Sequence, residues 1–128
     1  MGWYESIAKP SWAPAASVYG TVWSVIYPII FIAYGYVGWK VLRGEIPWVV
    51  MIPVGINLAA NFAFTPLEFG LQSLPLATID IVIVLVTIVW SMVAIWPYAR
   101  VAALALVPYL VWVSIATTLQ INIWLLNR

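Results

Sequence analysis

The sequence predicts an all-α fold, an integral membrane bundle of four transmembrane helices. Three observations carry this. Of the 128 residues, 66% are hydrophobic and only 7% are charged, with a mean hydropathy of +1.06. A soluble domain carries about 25% charged residues, so too few charged heads are present to cover a water-facing surface. The charges also leave uncharged runs over 10–39, 46–67, 81–99 and 101–127, and a helix that crosses a bilayer needs about 20 mostly apolar residues. Finally, runs such as Ile81 to Val89 are continuously apolar. A membrane β-barrel strand alternates lipid-facing and lumen-facing residues, so a barrel does not fit.

The first helix is expected over about 17–39, closed by Lys40, Arg43, Gly44 and Glu45. The second is expected over 47–66, closed by Glu68-Phe69-Gly70. The third is expected over 75–96, with Ser73 as N-cap and Pro75 in the first turn, where a missing N–H had no partner anyway. The fourth follows Arg100, over 101–126. Residues 1–16 form a loop ahead of the first helix, and the whole chain reads as one domain. Met1 to Pro14 shows neither a basic n-region nor an apolar h-region, so it is not read as a signal peptide. Pro28, Pro53 and Pro108 lie inside spans and are expected to kink them, which bundled helices tolerate because neighbours satisfy the freed carbonyls. Trp39, Trp48, Trp96 and Trp124 stand at span ends, where tryptophan suits the membrane–water interface. Four spans put both termini on the same side. Lys40, Arg43 and Arg100 against Lys9 and Arg128 place the termini outside by the positive-inside rule.

Composition also excludes chemistries. The net charge is +1 and the basic residues stand singly, so nothing points to nucleic acid. Cysteine and histidine are absent. That removes disulfides, thiolate metal sites, histidine-centred triads and the usual haem ligand.

The informative residues are polar and aromatic groups repeated inside the spans. Tyr19, Trp23, Tyr27 and Tyr34 mark the first helix, Asn57, Asn61, Phe64 and Glu68 the second, and Tyr109, Trp112, Ala116, Gln120 and Asn127 the fourth. Steps of three, four or seven residues keep each set on one helix face. Polar side chains are costly in lipid unless they face the bundle interior. Two readings share this pattern. Facing inward together, the stripes form an apolar pocket in which rings stack on a flat ligand and amides orient it. Alternatively they serve only as hydrogen-bonded glue between helices. Asp80 is the acid well inside a span. It reads either as a proton or cation site, or as a near-interface carboxylate satisfied by a neighbour or by the helix N-terminus. Gly35, Gly38, Gly55, Ala59, Ala60 and Ala63 are small enough to let helices approach closely.

Further residues carry a resemblance. Trp3-Tyr4 and Lys9-Pro10-Ser11-Trp12-Ala13-Pro14 are similar to a WY…KPxWxPP loop, and Trp23-Ser24-Val25-Ile26-Tyr27 to a WtxLY segment. Asn61 through Gly70 is similar to NxxWxPxFFG, Pro108-Tyr109-Leu110-Val111-Trp112 through Ala116 to PYLxWxxxA, and Leu119-Gln120 through Leu126-Asn127 to an LN…RLN tail. In these motifs the chain resembles the TspO/MBR family, the tryptophan-rich sensory and translocator proteins also called peripheral benzodiazepine receptors. Members have five membrane helices, with the WY…KPxW loop after the first; here that loop stands at the N-terminus, so the resemblance is to a short form lacking the first helix. Ala15, Phe64, Glu68 and Gln120 replace the family's second Pro, its NxxW Trp, the first Phe of FF and the tail Asn.

The resemblance implies a receptor-like membrane protein for hydrophobic planar ligands: porphyrins and haem in bacteria, sterols and synthetic ligands in animals. Carried over by motif, Trp23, Tyr27, Asn61, Phe64, Trp112 and Ala116 form the pocket, with Trp12 in a lid-like loop. No catalytic residue, no metal site and no required cofactor are expected; porphyrin or haem enters as ligand. Haem iron would find only Tyr or Met here, so recognition is expected through stacking on the macrocycle. A second subunit covering the flank of the missing helix makes a homodimer the expected assembly. Three other readings compete: a small four-helix transporter, which needs a deep carboxylate that the first helix lacks; light-dependent degradation of porphyrin through a tryptophan; and a structural membrane subunit.

Overall fold

The computed structural model describes residues 7–13 and 16–127, without the side chains of residues 16, 17, 19, 65, 68 and 69. Trp3-Tyr4, Pro14, Ala15 and Arg128, and the side chains of Tyr19 and Glu68, therefore lie outside the described residues. All regular structure among the described residues is helical.

Helix α1 runs over Ala16–Leu42, 27 residues, and so continues past the expected end at Trp39. It stops in a turn that satisfies its last carbonyls. Gly44, at φ 76°, donates to Val41 at 3.0 Å, and the Glu45 N–H reaches back to Lys40 at 2.9 Å. This is a Schellman closure, which favours glycine at the left-handed position. Glu45 also pairs with Lys40 (3.3 Å) and Arg43 (3.1 Å), both set at the negative end of the helix dipole.

A short 3-10 turn, Trp48–Val50, leads into α2, Met51–Thr65. Fifteen residues rise only about 22 Å, less than the ~30 Å hydrocarbon core. A wide helical turn, Pro66–Gly70, extends α2 at its far end. Helix α3, Leu74–Ile95, is capped by Ser73, whose Oγ accepts the Leu76 N–H at 3.4 Å.

The single fourth helix expected over 101–126 is broken. Helix α4 covers Arg100–Ala105 and α5 covers Val107–Leu126, with buried Leu106 between them. Pro108 is the cause. It has no N–H to give to the carbonyl four residues back, and its ring crowds that carbonyl. This break realises the kink expected at Pro108, which stands in the first turn of α5, whereas the kink expected at Pro53 is corrected because that residue lies in the first turn of α2; Pro28 is in a helix interior. First-turn positions carry no intrahelical N–H bond for proline to break.

Helix α3 packs along both α2 and α5, while α1 lies chiefly against α4 and reaches α2 through side chains. The bundle is inverted in polarity relative to a water-soluble protein. Val25, Ile32, Leu42, Val93 and Val101 point outward, whereas Asn57, Asn61, Asp80 and Gln120 are buried. Three helical stretches, Gly20–Leu42, Leu74–Ile95 and Arg100–Leu126 (α4 and α5 together), are long and apolar enough to cross a membrane, and Trp48–Phe64 is a shorter apolar helix beside them. Trp39, Trp48 and Trp96 are exposed at helix ends. Trp124 instead packs against Leu74, Leu119 and Ile123. The close-approach reading of the small residues is not met at Gly38, where a Cβ would lie 3.6 Å from the tip of the Met51 side chain, an ordinary contact distance. At Gly35 and Gly55 a Cβ would meet nothing, so these two face away from neighbouring helices.

Candidate ligand-binding site

The stripes of α1 and α5 meet in a group of rings. Trp23 stacks on Tyr27, one turn along α1, with centroids 5.0 Å apart and planes 28° off parallel. From α5, Tyr109 and Trp112 meet Trp23 edge-on at 6.3 and 6.4 Å. These separations lie in the range where aromatic quadrupoles attract. Phe64 of α2 and Ala116 of α5 are half-buried and pack against the same core. A second stack, Tyr27 with Phe31 at 6.0 Å and with Phe62 at 6.4 Å, continues outward along the seam of α1 and α2, where Phe31 and Phe62 are both about half exposed.

Hydrogen bonds knit every long helix to this group. The Tyr27 hydroxyl donates to Asn61 Oδ1 (2.9 Å), and Asn61 Nδ2 donates to the Tyr109 hydroxyl (2.7 Å). Tyr109 donates onward to Asn57 Oδ1 (3.0 Å), which also accepts from Tyr34 (2.9 Å). Asn57 Nδ2 then donates to the Val84 carbonyl (3.1 Å) and to Thr87 Oγ1 (3.0 Å) on α3. Asn57 and Tyr109 are wholly buried. A buried amide or phenol without a partner costs about 1–3 kcal/mol, so this closed chain accounts for polar residues deep in an apolar bundle.

Of the residues expected at a site, Trp23, Tyr27, Asn61 and Trp112 come together, with Phe64 and Ala116 at the margin. Trp12 does not join them. It is 49% exposed in the turn that Ala13 closes onto Pro10. The reason is where the segment is anchored. Ile7 and Ala13 pack against Leu74, Leu119 and Ile123, and the backbone of Ala8 is held by both amide atoms of Asn127, at 3.0 and 2.8 Å. Thr87 escaped the sequence reading. Its signal was a hydroxyl one turn from Val84 and Ser91 in an otherwise apolar run, on the buried face of α3. Asp80 is buried, and its Oδ2 has no hydrogen-bond partner among the described residues. It lies beyond the first turn of α3, out of reach of the free N–H groups at that helix start. Among the described residues no group of three His, Cys, Asp or Glu converges as a metal site.

The model of the TspO/MBR family matches residues 1–125 of this chain. The chain belongs to the TspO/MBR family. Its relatives agree over nearly its full length. The human translocator protein is 36% identical over 128 residues, covering 97% of this chain and 74% of its own. The tryptophan-rich protein TspO of Chlorobaculum tepidum is 34% identical, covering 98% and 79%. Protein CrtK of Rhodobacter capsulatus is 29% identical, covering 98% and 78%. As a TspO/MBR protein with long apolar helices and an inward-facing polar network, it is an integral, multi-pass membrane protein whose surroundings are the lipid bilayer.

Proposed function

We propose that this TspO/MBR protein is a membrane receptor for hydrophobic planar ligands, with porphyrins and haem as first candidates and sterol-like molecules as second. The observation that carries the reading is the convergence of Trp23, Tyr27, Tyr109 and Trp112, with the hydroxyls of Tyr27 and Tyr109 already donating to Asn61 and Asn57. Tied off in this way, the rings offer apolar faces and edges. A flat ligand is then held by stacking and area burial. Free iron-ligand chemistry adds little with no histidine or cysteine in the chain. Metal-free protoporphyrin IX is therefore expected to bind about as well as haem. Helices crossing the bilayer in alternation put both termini on one side. The exposed stack of Phe31 and Phe62 is the flank on which a second copy would complete a homodimer.

The test is calorimetric titration of protoporphyrin IX into the protein in nanodiscs, beside Trp112→Ala. Saturable micromolar binding, weakened at least tenfold by the substitution (about 1.4 kcal/mol), supports the receptor. Binding that is absent, or indifferent to Trp112, overturns it.

A further inference from the structure

A cavity of about 470 Å³ opens at the opposite end of α1 from Trp23, between α1 and α4. Its walls are Ile32, Ala33 and Tyr36 on one side and Ala99, Val101, Ala102 and Ala105 on the other, with Arg100 among its lining residues. The volume is that of a small-molecule site, and its alanine walls leave room that larger side chains would take up. Its surroundings fix its depth in the membrane. Trp39 and Trp96 are exposed nearby, with Lys40 over the Trp39 ring at 5.3 Å and Arg100 over the Trp96 ring at 5.3 Å. Tryptophan and basic residues collect at the level of lipid headgroups. The charges are unevenly matched. Lys40 and Arg43 both pair with Glu45, whereas Arg100 has no carboxylate partner among the described residues. A guanidinium at headgroup depth, at the mouth of an apolar groove, is complementary to a phosphate with a hydrocarbon tail.

We propose that this groove is a binding site for an anionic phospholipid of the surrounding bilayer, with one acyl chain between α1 and α4 and its phosphate on Arg100. The site is separate from the aromatic group, so it stands or falls independently of the porphyrin reading.

The test is native mass spectrometry of the intact protein in detergent, titrated with phosphatidylglycerol or with phosphatidylcholine of the same acyl chains. The wild type is expected to retain phosphatidylglycerol at least fivefold more tightly. Arg100→Gln is expected to abolish that preference, while Arg43→Gln, a cation at the same end already engaged by Glu45, keeps it. Ala105→Phe is expected to weaken both lipids by narrowing the groove. Should that variant lose its helical circular dichroism, Val101→Trp at the exposed rim replaces it. Equal retention of the two lipids by the wild type overturns the proposal. So does an equal loss of preference in Arg43→Gln and Arg100→Gln, which would mean that the charge of this membrane face alone attracts the lipid. Undiminished binding by the groove-narrowing variant overturns it too.

Discussion

Among the described residues Asn57 is the hub of the buried hydrogen bonds. Its oxygen accepts from two tyrosines on different helices, and its nitrogen donates twice to α3. Removing it strands several groups at once, whereas removing the Tyr109 hydroxyl strands one N–H of Asn61 and takes one of two donors from Asn57. Asn57→Ala is accordingly expected to lower stability by about 2–4 kcal/mol, and Tyr109→Phe by about 1 kcal/mol, since each orphaned buried group costs about 1–3 kcal/mol. Thermal unfolding in a fixed detergent ranks the two, and a larger loss for Tyr109→Phe would contradict the assignment. The stripe of Asn57 and Asn61 was legible from spacing, because an amide in a lipid-solvated span has to face inward. Which phenol each amide meets was not legible, since that depends on helix rotation and crossing, which periodicity leaves open. For the same reason Thr87 passed unnoticed: a threonine can satisfy its hydroxyl on its own helix, as Thr78 and Thr117 do here, so its presence alone signals nothing.

At the scale of elements, charges and caps gave the spans, and prolines gave their breaks only once the helix starts were known. Ser73 before Leu74, and Lys40 to Glu45 after α1, are local signals with local causes. Pro53 and Pro108 look alike in sequence to Pro28, yet α1 runs unbroken through Pro28, the chain breaks just before Pro108, and Pro53 falls in a first turn where a missing N–H has no bond to lose. The break at Leu106 follows from Pro108 and also shapes the groove beside Ala105. Pro108→Ala is expected to supply an N–H that can donate to the Leu104 carbonyl and to join α4 to α5. Hydrogen exchange at residues 106–108 should slow by tenfold or more; unchanged exchange would place the cause of the break elsewhere. Gly44→Ala tests the closure of α1. Its left-handed backbone costs an alanine about 1 kcal/mol, and the loss should appear as fraying of the last turn of α1.

For the whole molecule, membrane solvation reverses the usual distribution of side chains, and this was the most legible property of all. With 7% charged residues no other solvent fits. Orientation rests on fewer residues, Lys40, Arg43 and Arg100 at one end of the bundle. The absence of cysteine makes it directly measurable. A single cysteine introduced at Leu42, and separately at Ala8, is expected to react with an impermeant maleimide from opposite sides of intact vesicles, the Leu42 site from inside. Labelling of both from one side would refute the crossing pattern.

The amide of Asn127 grips the backbone of Ala8 across 119 positions of chain. No local turn can bring these two together, because the residue that fastens the 7–13 segment caps α5. The packing of Ile7 and Ala13 on Leu119 and Ile123 likewise requires α5 to be in place. The contact thus works as a clasp between distant parts of the chain, and Asn127→Ala is expected to make residues 7–13 easier for a protease to cut than in the wild type.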